Sequence, residues 1–375
     1  MSSTFSHLNF KELESVNNPN SIHGIYPYRG KISAIDAKKI IEQLPKDMTL
    51  LDPFCGSGTI LYEAQKHGLK VIGVDQNPLA YELSKSKIEL MDDNLRKKII
   101  NTTESIIKEA MLRNEKNLSQ PMPEEALKAF HVDTSREIMS VSSLINDMDD
   151  YIRAAYYGAI ALTARGCNDY KWTSSTVGKN IEPKRYINFY EKFMYKVKKH
   201  IKHTNDLGLY SGTVYKKDSR LLSEYIPDNS IDIVFTSPPY FDALDYTAYY
   251  GKLIYDIHSI NRLEIKKDLI QNVSTYKDDM HRVLKELNRV TKDESLIIFI
   301  VGDRKRGKQI TNGGDFFSEI WAPSYILERE YSGTSSQVFD KLNKTKRKEQ
   351  IVVWEKEEGE VLKYGKEFHT EQQNL

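Results

Sequence analysis

Apolar and polar positions follow two rhythms along this chain. Over residues 34–44 apolar side chains recur at helical spacing until Pro45, whose ring cannot continue a helix. Met48-Thr49-Leu50-Leu51-Asp52 is a short apolar run that stops at Pro53, which predicts a buried strand. Gly56-Ser57-Gly58 predicts a turn, residues 59–66 a helix ended by Gly68, and residues 70–75 a second strand. Pro78 opens a further helix expected to reach about Met91. Strand, turn, helix and strand in this order begin a parallel, doubly wound α/β sheet. Residues 1–20 are polar and expected to be loose.

From about 92 to 206 the alternation stops. This stretch is polar and mostly helical in pattern, with a loop expected near 119–123 and an irregular segment over 167–183. Strands resume at 212–215, leading to Asp218, and at 230–235, leading to Thr236-Ser237-Pro238-Pro239-Tyr240. A helix over 277–289, a strong strand over 295–302 and final strands over 324–329 and 349–354 complete the pattern. The expected architecture is a Rossmann-like α/β sheet with helices on both faces and a helical insertion. Three stretches follow: 1–91, the first half of the catalytic domain; 92–208, the insertion; and 209–375, the second half. No internal repeat or low-complexity tract interrupts it.

Composition narrows the class. The 375 residues are 39% hydrophobic and 29% charged, enough for a real core, and no apolar run approaches the roughly 20 residues of a membrane helix. Residues 1–10 do not read as a signal peptide, so a soluble, cytoplasmic protein is expected. Two cysteines far apart, Cys55 and Cys167, argue against a disulfide framework or a structural zinc site. Net charge is only +1, but between Arg165 and Lys202 ten basic residues face three acidic ones. A second basic cluster holds Lys341, Lys344, Lys346, Arg347 and Lys348. Such clusters fit either solvated helix faces or a polyanion contact.

Asp52-Pro53-Phe54-Cys55-Gly56-Ser57-Gly58-Thr59 lies where a strand hands over to a helix. Glycines there let backbone approach a ligand closely, and Asp75, at the tip of the next strand, can take both hydroxyls of a ribose. No lysine follows Gly58, which argues against a nucleoside triphosphate; a dinucleotide remains open on this turn alone. Asp52 could cap the next helix or face the cationic end of a ligand.

Thr236-Ser237-Pro238-Pro239-Tyr240 follows an apolar strand directly. Two prolines stiffen the backbone and remove two N–H donors, making a rigid acceptor surface at a strand's carboxyl end, where open sheets bind ligands. An exocyclic amino group supplies donors for such acceptors, and Tyr240 offers a face on which a flipped base can stack. A proline-stiffened turn with a packed tyrosine is the alternative.

Together, in this order, the two motifs resemble those of the amino-methylating DNA methyltransferases, which make N4-methylcytosine or N6-methyladenine. The resemblance covers roughly residues 22–90 and 210–355. It implies a methyltransferase sheet, S-adenosyl-L-methionine as cofactor and duplex DNA, read sequence-specifically, as partner. His23-Gly24-Ile25-Tyr26-Pro27-Tyr28-Arg29-Gly30-Lys31 is similar to the segment packing over the methionine part of the cofactor, which brings in Tyr26 and Lys31. By the same resemblance Asp52, Pro53, Phe54, Gly56, Gly58, Thr59 and Thr236 belong to the cofactor site, Asp75 holds the ribose and Asp218 reads the adenine. Ser237, Pro238, Pro239 and Tyr240 are then catalytic, with direct transfer to the amino nitrogen, no enzyme nucleophile at Cys55 and no metal required. Serine before the prolines is similar to the cytosine-N4 branch; adenine N6 stays open.

The insertion, with its basic segment, is the candidate for gripping the substrate, and a cognate restriction endonuclease is a compatible partner. Lys171 and Trp172 sit in a loop that could contact phosphates and base edges, although Trp172 fits a core anchor equally. Phe241 and Tyr246 are expected to shape the base pocket by analogy, and Arg304 opens a basic run suited to phosphate. Two other readings remain: a base-amino methyltransferase acting on RNA, and a nucleic-acid-binding scaffold without activity.

Overall fold

The computed structural model describes residues 21–28, 32–164, 185–239, 245–306, 309–332 and 346–358. The apolar runs become β1 (Thr49–Asp52), β2 (Lys70–Val74), β3 (Thr213–Tyr215), β4 (Ile231–Thr236) and β5 (Thr291–Gly302). A small separate hairpin, β6 (Arg304–Arg306) with β7 (Gln309–Thr311), precedes the last two strands, β8 (Tyr325–Ser332) and β9 (Lys346–Lys356). Seven strands form one sheet in the order β3-β2-β1-β4-β5-β9-β8. The first five are parallel, and β9 runs antiparallel between β5 and β8. The order matches the doubly wound pattern up to β5, and the added antiparallel strand departs from it.

The chain reverses its direction of winding between β1 and β4, which pair in register at Leu50↔Ile233 and Leu51↔Val234. Their buried side chains feed two apolar layers. One, with Leu50, Ile233 and Phe235, lies under α1 (Ala34–Ile41) and α2 (Thr59–His67). Beyond α2, α3 (Pro78–Lys87) is capped by Asn77, which accepts from Leu79 N and Ala80 N. It stops short of Met91 because Met91 N turns to the Asn205 carbonyl (2.9 Å), pairing with the returning chain.

The insertion folds as α4 (Asp93–Glu115), α5 (Glu124–Leu127), α6 (Val132–Ser142), α7 (Asp150–Thr163) and α8 (Phe189–His200). Long as it is, α4 buries only Ile99, Thr103, Ile106 and Ala110, one stripe at i, i+4, i+7 and i+11. The expected loop near 119–123 lies between α4 and α5. The irregular stretch over 167–183 lies outside the described residues.

After β4 come α9 (Tyr246–Ile257), α10 (Arg262–Asp268), α11 (Tyr276–Val290) and α12 (Gly313–Ile320). The second layer, with Leu51, Val234, Ile297 and Phe299, packs under α11 and α12. Neither α9 and α10 nor α12 and the hairpin was anticipated. Two glycines open α12 and lower its propensity; Asn312 offsets this by accepting from Asp315 N at 3.0 Å.

The insertion is not walled off from the catalytic half. Its core is continuous with Ile22, Ile25 and Tyr26 of the N-terminal segment, with Leu79 and Leu83 of α3 and with Ile254 and Tyr255 of α9. The N-terminal segment lies against α7 and α8 and is tied there by side chains. Lys196 Nζ donates to the Gly24 carbonyl (2.8 Å) and His200 Nδ1 to that of Ser21 (2.8 Å). Lys196 is only 6% exposed, so this member of the basic cluster is a structural strut and not a phosphate contact. Burial, reinforced by Lys196, pushes the His200 imidazole down to about 3, so it stays neutral. On its other side the segment meets α2, where His23 Nε2 and Glu63 Oε1 are 2.8 Å apart.

Contact between α7 and the segment requires a glycine. A Cβ at Gly158 would stand 1.9 Å from the Ile25 carbonyl oxygen. Gly158→Ala is therefore expected to destabilise the protein by about 1–3 kcal/mol, the usual cost of overpacking. Urea unfolding measures it; an unchanged midpoint would mean that segment and helix are not in contact.

Candidate active site

β1 and β4 end side by side, and a cleft opens beyond their carboxyl ends at the point where the winding reverses. It encloses about 890 Å³, open mouth included. Ten of the residues singled out by sequence line it: Asp52, Pro53, Phe54, Gly56, Thr59, Asp75, Ser237, Pro238, Pro239 and Tyr246.

Four others stand behind the lining. Tyr26 is buried in the core of the insertion. Gly58, at φ +73°, lets α2 meet α3, since a Cβ there would come within 2.8 Å of Ser84. Thr236 is fully buried beneath Asp52. Asp218 is gripped by a guanidinium: Arg220 Nε lies 3.0 and 2.9 Å from its two carboxylate oxygens. Arg304 begins β6, and nothing of its side chain is described. Lys31, Lys171, Trp172, Tyr240 and Phe241 lie outside the described residues.

The two acids of the pocket are held differently. Asp52 Oδ1 accepts from Thr236 Oγ1 at 2.6 Å and from Phe54 N at 3.1 Å. Both donors use one oxygen, and among the described residues Oδ2 has no hydrogen-bond partner. Asp52 caps no helix; the N-cap of α2 is Gly58. Asp75 spreads its contacts, Oδ2 accepting from Gly56 N and Oδ1 from Asn77 N, each at 2.9 Å. This leaves each Asp75 oxygen one lone pair, the arrangement a vicinal diol requires. Burial pushes Asp52 up to about 7, against the hydrogen bonds from Thr236 and Phe54, which lower it. Burial likewise pushes Asp75 up to about 6. A cation or hydroxyl donor reaching either carboxyl would favour its ionised form.

Several lining residues carried no sequence signal of their own. Ser219 follows Asp218, and its Oγ donates to the Pro53 carbonyl at 2.5 Å, tying the third strand's exit to the glycine turn. Leu269 and Ile270, between α10 and α11, supply an apolar wall. Asn77, the N-cap of α3, also lines the pocket, and its Nδ2 is buried with no partner among the described residues. Thr59 Oγ1 is in the same condition. Cys55 lines the pocket through a buried thiol that burial pushes well up, so it is no thiolate nucleophile.

A family model for D12 class N6 adenine-specific DNA methyltransferases matches residues 33–297, more than half of the chain. The chain belongs to the amino-methylating DNA methyltransferases. A second model, for DNA methylases of the N6/N4 type, matches residues 231–374 of this methyltransferase. The chain is 26% identical over 334 residues to the Type II methyltransferase M.MvaI of Kocuria varians, covering 72% of this chain and 74% of the relative. It is 24% identical over 382 residues to the Type II methyltransferase M.BsoBI of Geobacillus stearothermophilus, covering 93% of this chain and 68% of that one. Among solved structures, the rRNA methyltransferase aviRa of Streptomyces viridochromogenes aligns over 88% of this chain and 87% of its own. Identity there is 13% and the TM-score 0.32, so the fold assignment rests on strand order and family and not on that alignment.

The methyl donor of this methyltransferase is S-adenosyl-L-methionine. The residues present suit that group. Among the described residues no lysine or arginine lines the cleft, so an anionic ligand there would meet two acids. A cationic, diol-bearing ligand in the cleft would have before it the free oxygen of Asp52, the remaining lone pairs of Asp75 and the Thr59 and Asn77 groups unpartnered among the described residues. Among the described residues no helix is long and apolar enough to cross a membrane.

The raised carboxylates predict a pH dependence. A cation binds the ionised forms better, so donor affinity should rise as pH increases through about 6 and 7 and level off near 8. The stability of the protein alone runs the other way. Both acids hold their protons more tightly folded than unfolded, so stability is lost as pH rises from about 4 towards 7. Asp52→Asn should accordingly leave the donor-free protein at least as stable at pH 8 while weakening the donor at least tenfold, by roughly 1.4 kcal/mol. Calorimetric titration beside thermal unfolding checks both; equal donor affinity in variant and parent would remove Asp52 from the site.

Proposed function

We propose that this methyltransferase modifies the N4 amino group of cytosine in duplex DNA, at a specific sequence, on a base turned out of the helix. The supporting observation is the convergence of Asp52 and Ser237 on one cleft from adjacent strands whose last residues are joined by the Thr236–Asp52 hydrogen bond. Acid-lined cofactor space and the acceptor loop are thus neighbours, as direct transfer between two bound molecules needs.

In this reading Asp75 takes the ribose hydroxyls and Leu269 and Ile270 pack on the adenine. Asp52 faces the positive methionine end, with Tyr28 over Gly56, the ring lying 3.5 Å from where a Cβ would stand. When bound, the sulfonium supplies a methyl group for direct uptake by the target nitrogen. Ser237 and the Pro238 carbonyl accept from the amino group, fix its orientation and raise electron density on nitrogen. Tyr240 stacks on the base and Tyr246 borders it. The amino proton then leaves to solvent. The insertion grips DNA in this reading, Lys171 and Trp172 included, with the exposed Lys202 on its outer side.

Serine before the two prolines favours cytosine N4. The match of residues 33–297 to a family named for adenine N6 favours the second reading, with the same site and the larger base. The names of the relatives, both Type II methyltransferases, support a place beside a restriction endonuclease.

Labelled methyl transfer into mixed-sequence duplex DNA and into total RNA, followed by nucleoside mass spectrometry, tests the proposal. N4-methylcytosine in DNA is the expected product. N6-methyladenine would keep the enzyme class and overturn the serine argument, and label in RNA alone would overturn the substrate. Ser237→Ala and Tyr240→Ala should each retain the donor and lose about 100-fold in turnover; full turnover in both would eliminate the loop as the catalytic element.

A further inference from the structure

The first residue of α11 reaches the proposed catalytic loop. Tyr276 is 2% exposed, and its hydroxyl donates to the Pro239 carbonyl at 2.6 Å. A proline pair has no N–H with which to anchor itself, so its orientation must be set through its carbonyls and rings. Here one carbonyl is held by a buried phenol.

That phenol is itself held. Its ring packs on Phe316, with centroids 5.4 Å apart. The first turn of α11 is fixed through Asp279, which accepts from Thr275 Oγ1 at 2.9 Å and from Arg220 Nη1 at 2.8 Å. The same guanidinium grips Asp218 and donates from Nη2 to the Asp268 carbonyl at 3.1 Å, just before the wall residues Leu269 and Ile270. Ser219, one residue earlier, is bonded to Pro53 of the glycine turn. Side-chain bonds and short main-chain links therefore join the glycine turn to the loop: Ser219 bonds to Pro53, its chain neighbour Arg220 bonds to Asp279, and the first turn of α11 carries Tyr276, which bonds to Pro239.

The far end of the loop is anchored too. Asp245 caps α9 by accepting from Ala248 N at 2.9 Å, and it receives Lys266 Nζ at 2.7 Å and Arg262 Nη1 at 3.2 Å. Although burial opposes it, Lys266 with the Thr247 and Ala248 bonds holds Asp245 below the usual carboxylate range, so this anchor keeps its charge.

We infer that Tyr276 is a positioning residue for methyl transfer: by occupying the Pro239 carbonyl it orients the proline pair so that the acceptors left to the target amino group are Ser237 and the Pro238 carbonyl. The inference rests on the reading of Ser237-Pro238-Pro239-Tyr240 as the catalytic loop. Tyr276 touches neither substrate nor donor; its effect on the reaction passes through the loop.

Tyr276→Phe in the full-length protein removes only the hydroxyl. The single-turnover rate of methyl transfer into the cognate duplex should fall about 3- to 10-fold, the worth of one neutral hydrogen bond. KM for DNA, Kd for S-adenosyl-L-methionine and the unfolding temperature should stay at parental values. An undiminished rate would overturn the inference. So would a rate that falls together with donor affinity and unfolding temperature, because that pattern marks a purely structural tyrosine. Ser237→Ala, measured alongside, tests the underlying reading separately: full activity there would discard the catalytic loop whatever Tyr276→Phe does.

Discussion

Pairing of β1 with β4 is the constraint from which the rest follows. Two motifs separated by 184 residues in sequence become neighbours because their strands share a hydrogen-bonded register, Leu50↔Ile233 and Leu51↔Val234. The Thr236 hydroxyl then closes the last gap by donating to Asp52. An apolar residue at 236 would leave the strands paired but strip Asp52 of its shortest donor. The acid that faces the pocket is thus oriented by the strand that carries the acceptor loop, and neither site is built without the other.

The cleft also carries unpaid electrostatic work. Asp52 and Asp75 are withdrawn from water with backbone donors and one hydroxyl, and no cation among the described residues, around them. Elsewhere the protein pairs its partly buried acids: Asp279 with Arg220, Asp245 with Lys266. In the cleft, the described residues supply no such cation to Asp52 or Asp75. Stability is given up locally so that binding can recover it, the usual conflict between a folded state and its function.

Much of the fold and half of the site were legible in the sequence, for local reasons. Short apolar runs ended by proline or glycine mark the strands, and both motifs lie at strand exits where geometry is dictated by a few neighbouring residues. What escaped was set at long range. Leu269 and Ile270 look like any loop apolar pair until Arg220 brings the end of α10 to the cleft. Tyr276 is one tyrosine among 23, and only tertiary structure puts its hydroxyl on Pro239. Charge counting misled where burial intervened: Lys196 adds to a basic cluster on paper and serves as an internal strut in the fold. Asp303, just past β5, accepts from Gln350 Nε2 at 2.9 Å, a contact spanning 47 residues that no local pattern marks.

The N-terminal segment has a consequence for biosynthesis. Residues 21–28 leave the ribosome early, yet the surfaces that hold them, Gly158 of α7 and Lys196 and His200 of α8, are made more than a hundred residues later. Tyr28, which lines the cleft beside Gly56, belongs to the same apolar core as these helices. Contacts so distant in sequence are slow to form. A nascent chain can already possess its glycine turn and first strands while still lacking a finished donor pocket, so methylating competence arrives only after the insertion has been synthesised and docked.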